Sequence, residues 1–173
     1  MDILEKFGYC PECGGSHFER NSEKSLKCGN CGFEYFMNAA AAVVALIANS
    51  RGELLVERRR LEPAKGTLDL PGGFADVQET AEEALAREVR EETGLEVTEA
   101  RYLFSGPNVY RYSGIDVYTL DLFFACKVKD DAELTAGDDA AECFWTAPGD
   151  INTGLFGLRS VRHGLQRYLA GRR

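Results

Sequence analysis

GFADVQETAEEALAREVREETGL, residues 73–95, combines a glycine turn, a helix and a dense set of carboxylates. Residues 79–93 are rich in Ala, Leu, Glu and Arg, which favour helix. Thr80 followed by Glu83 predicts a capping box, as does Asp76 followed by Glu79. Gly94 suits the left-handed residue that stops a helix. Glu88, Glu91 and Glu92 then share one helical face, while Ala81, Ala84, Leu85 and Val89 supply a buried side. Like charges this close repel, and a plain surface helix does not require them. A hard divalent cation does, because Mg²⁺ prefers carboxylate oxygens, water and substrate phosphates. The competing reading is a solvated acidic helix.

The spacing settles that competition. The segment reads G-x5-E-x7-R-E-V-x-E-E-x-G-L, and LLVERRRLEPAKGTLDLPGGF (residues 54–74) precedes it as a strand, a basic strand end, a Pro-x-x-G turn and L-P-G-G-F. Together these resemble the Nudix hydrolases. The resemblance implies attack of water on a phosphorus of a nucleoside diphosphate linked to another group. It implies Mg²⁺ (or Mn²⁺) held by Glu88, Glu91, Glu92 and the Gly72 carbonyl, with Glu79 as an outer or second-metal ligand. Arg87 then orients the carboxylates through an ion pair. The chemistry is Lewis-acid stabilisation of developing charge together with a metal-bound water made more acidic. Glu91 or Glu92 is the expected water activator; Asp138, Asp139 and Glu142 are downstream candidates for the base, or a solvated turn before a strand. Phe74 and Arg58 are candidate substrate contacts, the latter from an Arg58-Arg59-Arg60 run that reads equally as a strand end.

Working towards the N-terminus, Cys10-Pro-Glu-Cys13 and Cys28-Gly-Asn-Cys31 form a CxxC…CxxC pair. This spacing fits a structural zinc ribbon with four thiolates and no open coordination position. Disulfides and a redox motif are the alternatives, and the first is disfavoured without a secretion signal. Cys126 and Cys143 lie outside the pattern and read as buried small hydrophobes. His17 and His163 have no neighbour that suggests a nucleophile, so solvent or packing roles are expected.

The whole chain of 173 residues is 45% hydrophobic, enough for a packed core. Its formal charge of −8 argues against broad nucleic-acid binding, which needs a cationic surface. No apolar run of about twenty residues suggests a membrane span, and the mixed, charged start at residues 1–8 implies no signal peptide, so a cytoplasmic location is expected. Strands are predicted over residues 42–48, 53–58, 96–104, 115–128 and 142–145, and a helix over 153–169 with Leu155, Leu158, Val161, Leu165 and Leu169 on one face. Two domains follow: a zinc ribbon over residues 1–36 and a Nudix-type domain over 37–173. The expected class is α/β, an α/β/α sandwich with a mixed sheet.

A ribbon ahead of a Nudix-type domain resembles the NADH pyrophosphatase branch, which carries S-Q-P-W-P-F-P-x-S after the box. Here residues 105–113 read SGPNVYRYS: Ser105, Pro107 and Ser113 stand in register, and the Gln, the Trp and two Pro are absent. The stretch reads either as a loop offering Tyr110 and Tyr112 for stacking on a base, or as a Gly-Pro-Asn turn between strands. The resemblance therefore implies hydrolysis of NADH, NAD⁺, ADP-ribose or a similar dinucleotide. The alternative is a catalytically weak nucleotide-binding or RNA-associated regulator whose ribbon binds a partner. A homodimer is a family expectation.

Overall fold

The computed structural model describes residues 3–129, 134–137 and 140–171. The chain divides into two compact units, Met1–Ala40 with Val109–Tyr118, and Ala41–Asn108 with Thr119–Arg173.

In the first unit, strands β1 (Phe18–Ser22), β2 (Ser25–Cys28) and β3 (Glu34–Phe36) pair antiparallel in the order β1-β2-β3. Leu4, Phe18 and Leu26 pack with Cys10 and Cys28 as a small core, against which Phe7, Phe33 and Tyr35 lean. That core is slight for an independently stable sheet, so a metal is the natural staple.

The second unit is built on β4 (Ala40–Ile47), an eight-residue apolar strand buried on both faces. β5 (Leu54–Arg59) returns beside it through the Asn49 turn, and the short β6 (Leu68–Asp69) follows. Next come helix α1 (Ala81–Thr93), the long strands β7 (Val97–Tyr112) and β8 (Ile115–Val128), whose Val109–Tyr118 portion belongs to the first unit, then β9 (Ala140–Thr146) and helix α2 (Arg159–Ala170). The strands form two three-stranded sheets, β4-β8-β7 and β6-β5-β9. The period of two sends alternate side chains to opposite faces. Val43, Ala45 and Ile47 of β4 meet Ala84, Leu85 and Val89 of α1, together with Leu55, Phe124 and Cys126. Val44 and Leu46 meet Val161 and Leu165 of α2, together with Leu54, Val56, Phe123 and Phe156. This is the predicted α/β/α sandwich. Each fully buried Leu or Val here contributes roughly 1.5–3 kcal/mol.

Two local expectations are corrected. Residues 105–113 form no loop: β7 runs without a break to Tyr112 and turns into β8 through Ser113 (φ 49°) and Gly114 (φ 79°). Two residues with positive φ are the geometry of a tight hairpin. Pro107 is tolerated because β7 is an edge strand, where a missing N–H costs little. The C-terminal helix begins at Arg159, later than predicted. Thr153–Leu155 is a 3₁₀ turn and Phe156 makes a parallel bridge to Leu68, which draws this stretch into the sheet and leaves Leu155 exposed.

Candidate active site

Helix α1 starts as its sequence predicts. The Thr80 hydroxyl accepts from Glu83 N–H at 3.2 Å, and the Glu83 carboxylate accepts from Thr80 N–H at 2.9 Å. Asp76 forms only half of a box, its N–H donating to Glu79 Oε2 at 2.8 Å. At the other end Gly94 adopts φ 74° and its N–H caps the Arg90 carbonyl. Ala84, Leu85 and Val89 are fully buried, which fixes the acidic residues along the opposite side and the helix end.

Arg87 organises those acids. Its Nε and Nη2 donate to the two Glu79 oxygens at 2.9 and 2.8 Å. Nη1 donates to Glu88 Oε1 at 2.8 Å and to Glu91 Oε2 at 3.3 Å, and Nη2 also reaches the Phe74 carbonyl at 3.0 Å. This fork holds the Glu79 carboxyl down to about 2, with the Asp76 amide assisting. Glu88 lies against the glycine turn: a Cβ at Gly73 would stand 2.5 Å from Glu88 Oε1, so a side chain there would displace the Glu88 carboxylate.

Glu92 lives in a different environment. It is 7% exposed, and its Oε2 accepts the Gly72 N–H at 2.8 Å. Burial pushes its carboxyl well above the usual range, and Glu57, Glu88 and Asp69 add to the rise. Glu57 and Asp69 are register partners on β5 and β6, and both are buried. Arg59 Nη1 pairs with Asp69 at 2.6 Å, yet burial still raises the Asp69 carboxyl. The donors here are carboxylate oxygens, the ligand type a hard divalent cation takes, and Glu92 stands among like charges that burial shields from water; among the described residues only the four cysteines already converge within 4.8 Å.

The other candidates fall as follows. Arg58 Nε donates to Glu142 Oε1 at 2.6 Å, joining the candidate substrate contact to the candidate base across the β5–β9 register. Arg58 Nη1 also reaches the Gly66 carbonyl at 3.1 Å, and Arg60 donates to the Ala140 carbonyl at 2.9 Å. Phe74, whose carbonyl Arg87 holds, is 38% exposed. Tyr110 and Tyr112 belong to Val109–Tyr118 of the first unit, whereas Arg58 and Phe74 belong to the second. Asp138 and Asp139 lie outside the described residues. His17 and His163 are exposed. Cys126 is buried as predicted, but Cys143 is only partly so and its Sγ donates to the Glu92 carbonyl at 3.5 Å.

Sequence reading missed Glu57, Asp69, Cys143 and Gly137 as neighbours of the acidic helix end. For Glu57 a signal exists: it is the carboxylate that ends the apolar run Leu54-Leu55-Val56.

In the first unit, Cys10, Cys13, Cys28 and Cys31 bring all four Sγ atoms within 4.8 Å of one another. Cys10–Cys31 and Cys13–Cys28 stand 3.7 and 3.6 Å apart, and none of these cysteines is in a disulfide. A tetrahedron with Zn–S bonds of about 2.3 Å has edges of about 3.8 Å, so the cage fits zinc. Matching turns shape it: Gly14 N–H donates to the Cys10 carbonyl at 2.9 Å and Gly32 N–H to the Cys28 carbonyl at 3.0 Å.

The NUDIX domain model matches residues 37–164, and the chain belongs to that family. A NUDIX hydrolase from Nitrosomonas europaea superposes with a TM-score of 0.76 at 25% identity, covering 96% of this chain and 92% of that one. The chain is also similar to the NAD-capped RNA hydrolase NudC of Vibrio vulnificus, 31% identical over 129 residues, which are 75% of this chain and 48% of the relative. It thus spans about half the length of the curated relatives it matches. The NUDIX domain of Shewanella oneidensis NrtR, solved with ADP ribose, shares the fold at a TM-score of 0.63 and 19% identity, covering 79% of this chain and 90% of that one. Among the described residues, no helix is long and apolar enough to cross a membrane.

Proposed function

We propose that this chain is a Mg²⁺-dependent Nudix hydrolase that cleaves a phosphoanhydride bond in a nucleoside diphosphate joined to another moiety. The carrying observation is the Arg87 fork, which holds Glu79, Glu88 and Glu91 together beside the Gly72-Gly73 turn while Glu92 meets Gly72. Glu88, Glu91, Glu92 and the Gly72 carbonyl would hold the metal, with Glu79 outside them. When bound, the metal polarises a phosphoryl oxygen and acidifies a water. Glu91, the most exposed of the three at 55%, is the carboxylate best placed to take that water's proton. Arg87 orients the acids. The cysteine cage holds a structural zinc in a ribbon over residues 1–36, ahead of a Nudix domain over 37–173.

For the substrate we propose the NADH, NAD⁺ or ADP-ribose class. The NudC relatives support it, since their name carries an NAD-linked diphosphate. That name also carries an RNA, so a capped RNA joins the candidates even though a charge of −8 disfavours broad nucleic-acid binding. The deciding experiment incubates the chain and Mg²⁺ with NADH, NAD⁺, ADP-ribose, dinucleoside polyphosphates, nucleoside triphosphates, nucleotide sugars and NAD-capped RNA, and identifies products. Mononucleotide products from the dinucleotide class support the reading. Tight nucleotide binding without turnover of any compound refutes it in favour of a regulator.

A further inference from the structure

The last turn of an α-helix leaves carbonyls without intrahelical donors. In α1 two of these are met from outside the helix. The Glu92 carbonyl accepts Gly137 N–H at 2.8 Å, and the Thr93 carbonyl accepts Thr135 N–H at 3.0 Å. Donors two residues apart in segment 134–137 therefore engage consecutive carbonyls of the helix end. Cys143 Sγ adds a second donor to the Glu92 carbonyl at 3.5 Å. The approach leaves no room for a side chain at position 137: a Cβ there would lie 1.9 Å from the Glu91 oxygen and 3.0 Å from Glu92 Cα. Leu134 anchors the segment by packing on the core beneath α1.

Glu92 is held from its other end too. Its carboxylate accepts the Gly72 amide, and Gly72 is pressed on β4, where a Cβ would stand 2.0 Å from the Val43 oxygen. One glycine amide thus fixes the carboxylate and another fixes the carbonyl of the same residue. We infer that Gly137 is a positioning residue for the metal-binding end of α1, holding Glu91 and Glu92 in register with the Gly72-Gly73 turn. This rests on the hydrolase reading above.

The test measures Mn²⁺ binding without substrate, by electron paramagnetic resonance and calorimetry, on the full chain, on Gly137→Ala and on Gly149→Ala. Gly149 is a control, since a Cβ there meets nothing within 4 Å. Loss of a supporting contact around a metal site typically weakens metal binding about tenfold or more, and this is expected for Gly137→Ala, with Gly149→Ala unchanged. Gly137→Ala that binds Mn²⁺ like the wild type, whatever its melting temperature, overturns the inference. Should Gly137→Ala fail to fold, hydrogen exchange of the Gly137 amide in the wild type with and without Mg²⁺ decides: bound metal is expected to slow it, and exchange unaltered by metal overturns the inference. A wild type that binds no Mn²⁺ and hydrolyses none of the screened compounds sinks the hydrolase reading and this inference together. Wild-type binding and turnover with unaltered variants sinks the clamp alone.

Discussion

Arg87 grips Glu79 with two parallel hydrogen bonds, Nε to Oε1 at 2.9 Å and Nη2 to Oε2 at 2.8 Å. The two residues lie eight positions apart, one before the helix and one within it, so the pair ties the chain entering the helix to the helix body. The remaining Nη1 serves Glu88 and Glu91. Lysine has no planar fork and satisfies at most part of this set. Arg87→Lys is therefore expected to lose roughly 2–3 kcal/mol of stability, read from urea unfolding of the metal-free protein. An unchanged urea midpoint would show that the fork is decorative.

The same pair sets an acid response. The Glu79 carboxyl is lowered from 4.5 to about 2 by Arg87 and the Asp76 amide. A group depressed in the folded state contributes stability that is complete above its unfolded pKa and is lost as pH falls towards its folded one. Stability should thus decline between pH 4.5 and 2, and part of that slope should vanish in Arg87→Gln. Urea midpoints at several pH values in that window check it; parallel slopes for the two proteins would contradict it.

Thr80 and Glu83 exchange hydrogen bonds at the start of α1. Thr80→Ala removes the hydroxyl acceptor and should cost about 1 kcal/mol. The helix is expected to fray at its first turn, with faster amide exchange at Glu82 and Glu83 and little change at Val89.

How much of this was legible beforehand follows from the range of each interaction. The box helix could be read because its cap, its apolar spacing and its glycine stop all lie within fifteen residues of one another. The cysteine cage could be read because two short turns build it. Residues 105–113 could not: Gly106-Pro107-Asn108 carries turn chemistry, but pairing with β8 overrides it, and that pairing is set by the Ser113-Gly114 turn at the end of the stretch. The neighbours of Glu92 were hidden for a similar reason. Glu57, Gly137 and Cys143 reach it only once β5, β9 and residues 134–137 have packed against the helix end.

Zinc removal should act on one unit. The ribbon core is Leu4, Phe18 and Leu26 with two of the cysteines, too little to hold three short strands unaided. A strong chelator is expected to release zinc and raise amide exchange across residues 10–36, because structural zinc contributes folding free energy directly. Exchange that stays slow, or purified reduced protein without zinc, would contradict the ribbon assignment.

The central claim is that Glu91 and Glu92 serve metal-dependent hydrolysis. Mg²⁺-dependent turnover of the best dinucleotide substrate, compared among wild type, Glu91→Gln and Glu92→Gln, tests it most directly. Gln keeps an oxygen that can accept the Gly72 amide, so both variants should fold. The account predicts that each loses about a hundredfold or more in turnover, since losing a metal ligand forfeits several kcal/mol of transition-state stabilisation. Wild-type rates in both variants would contradict it.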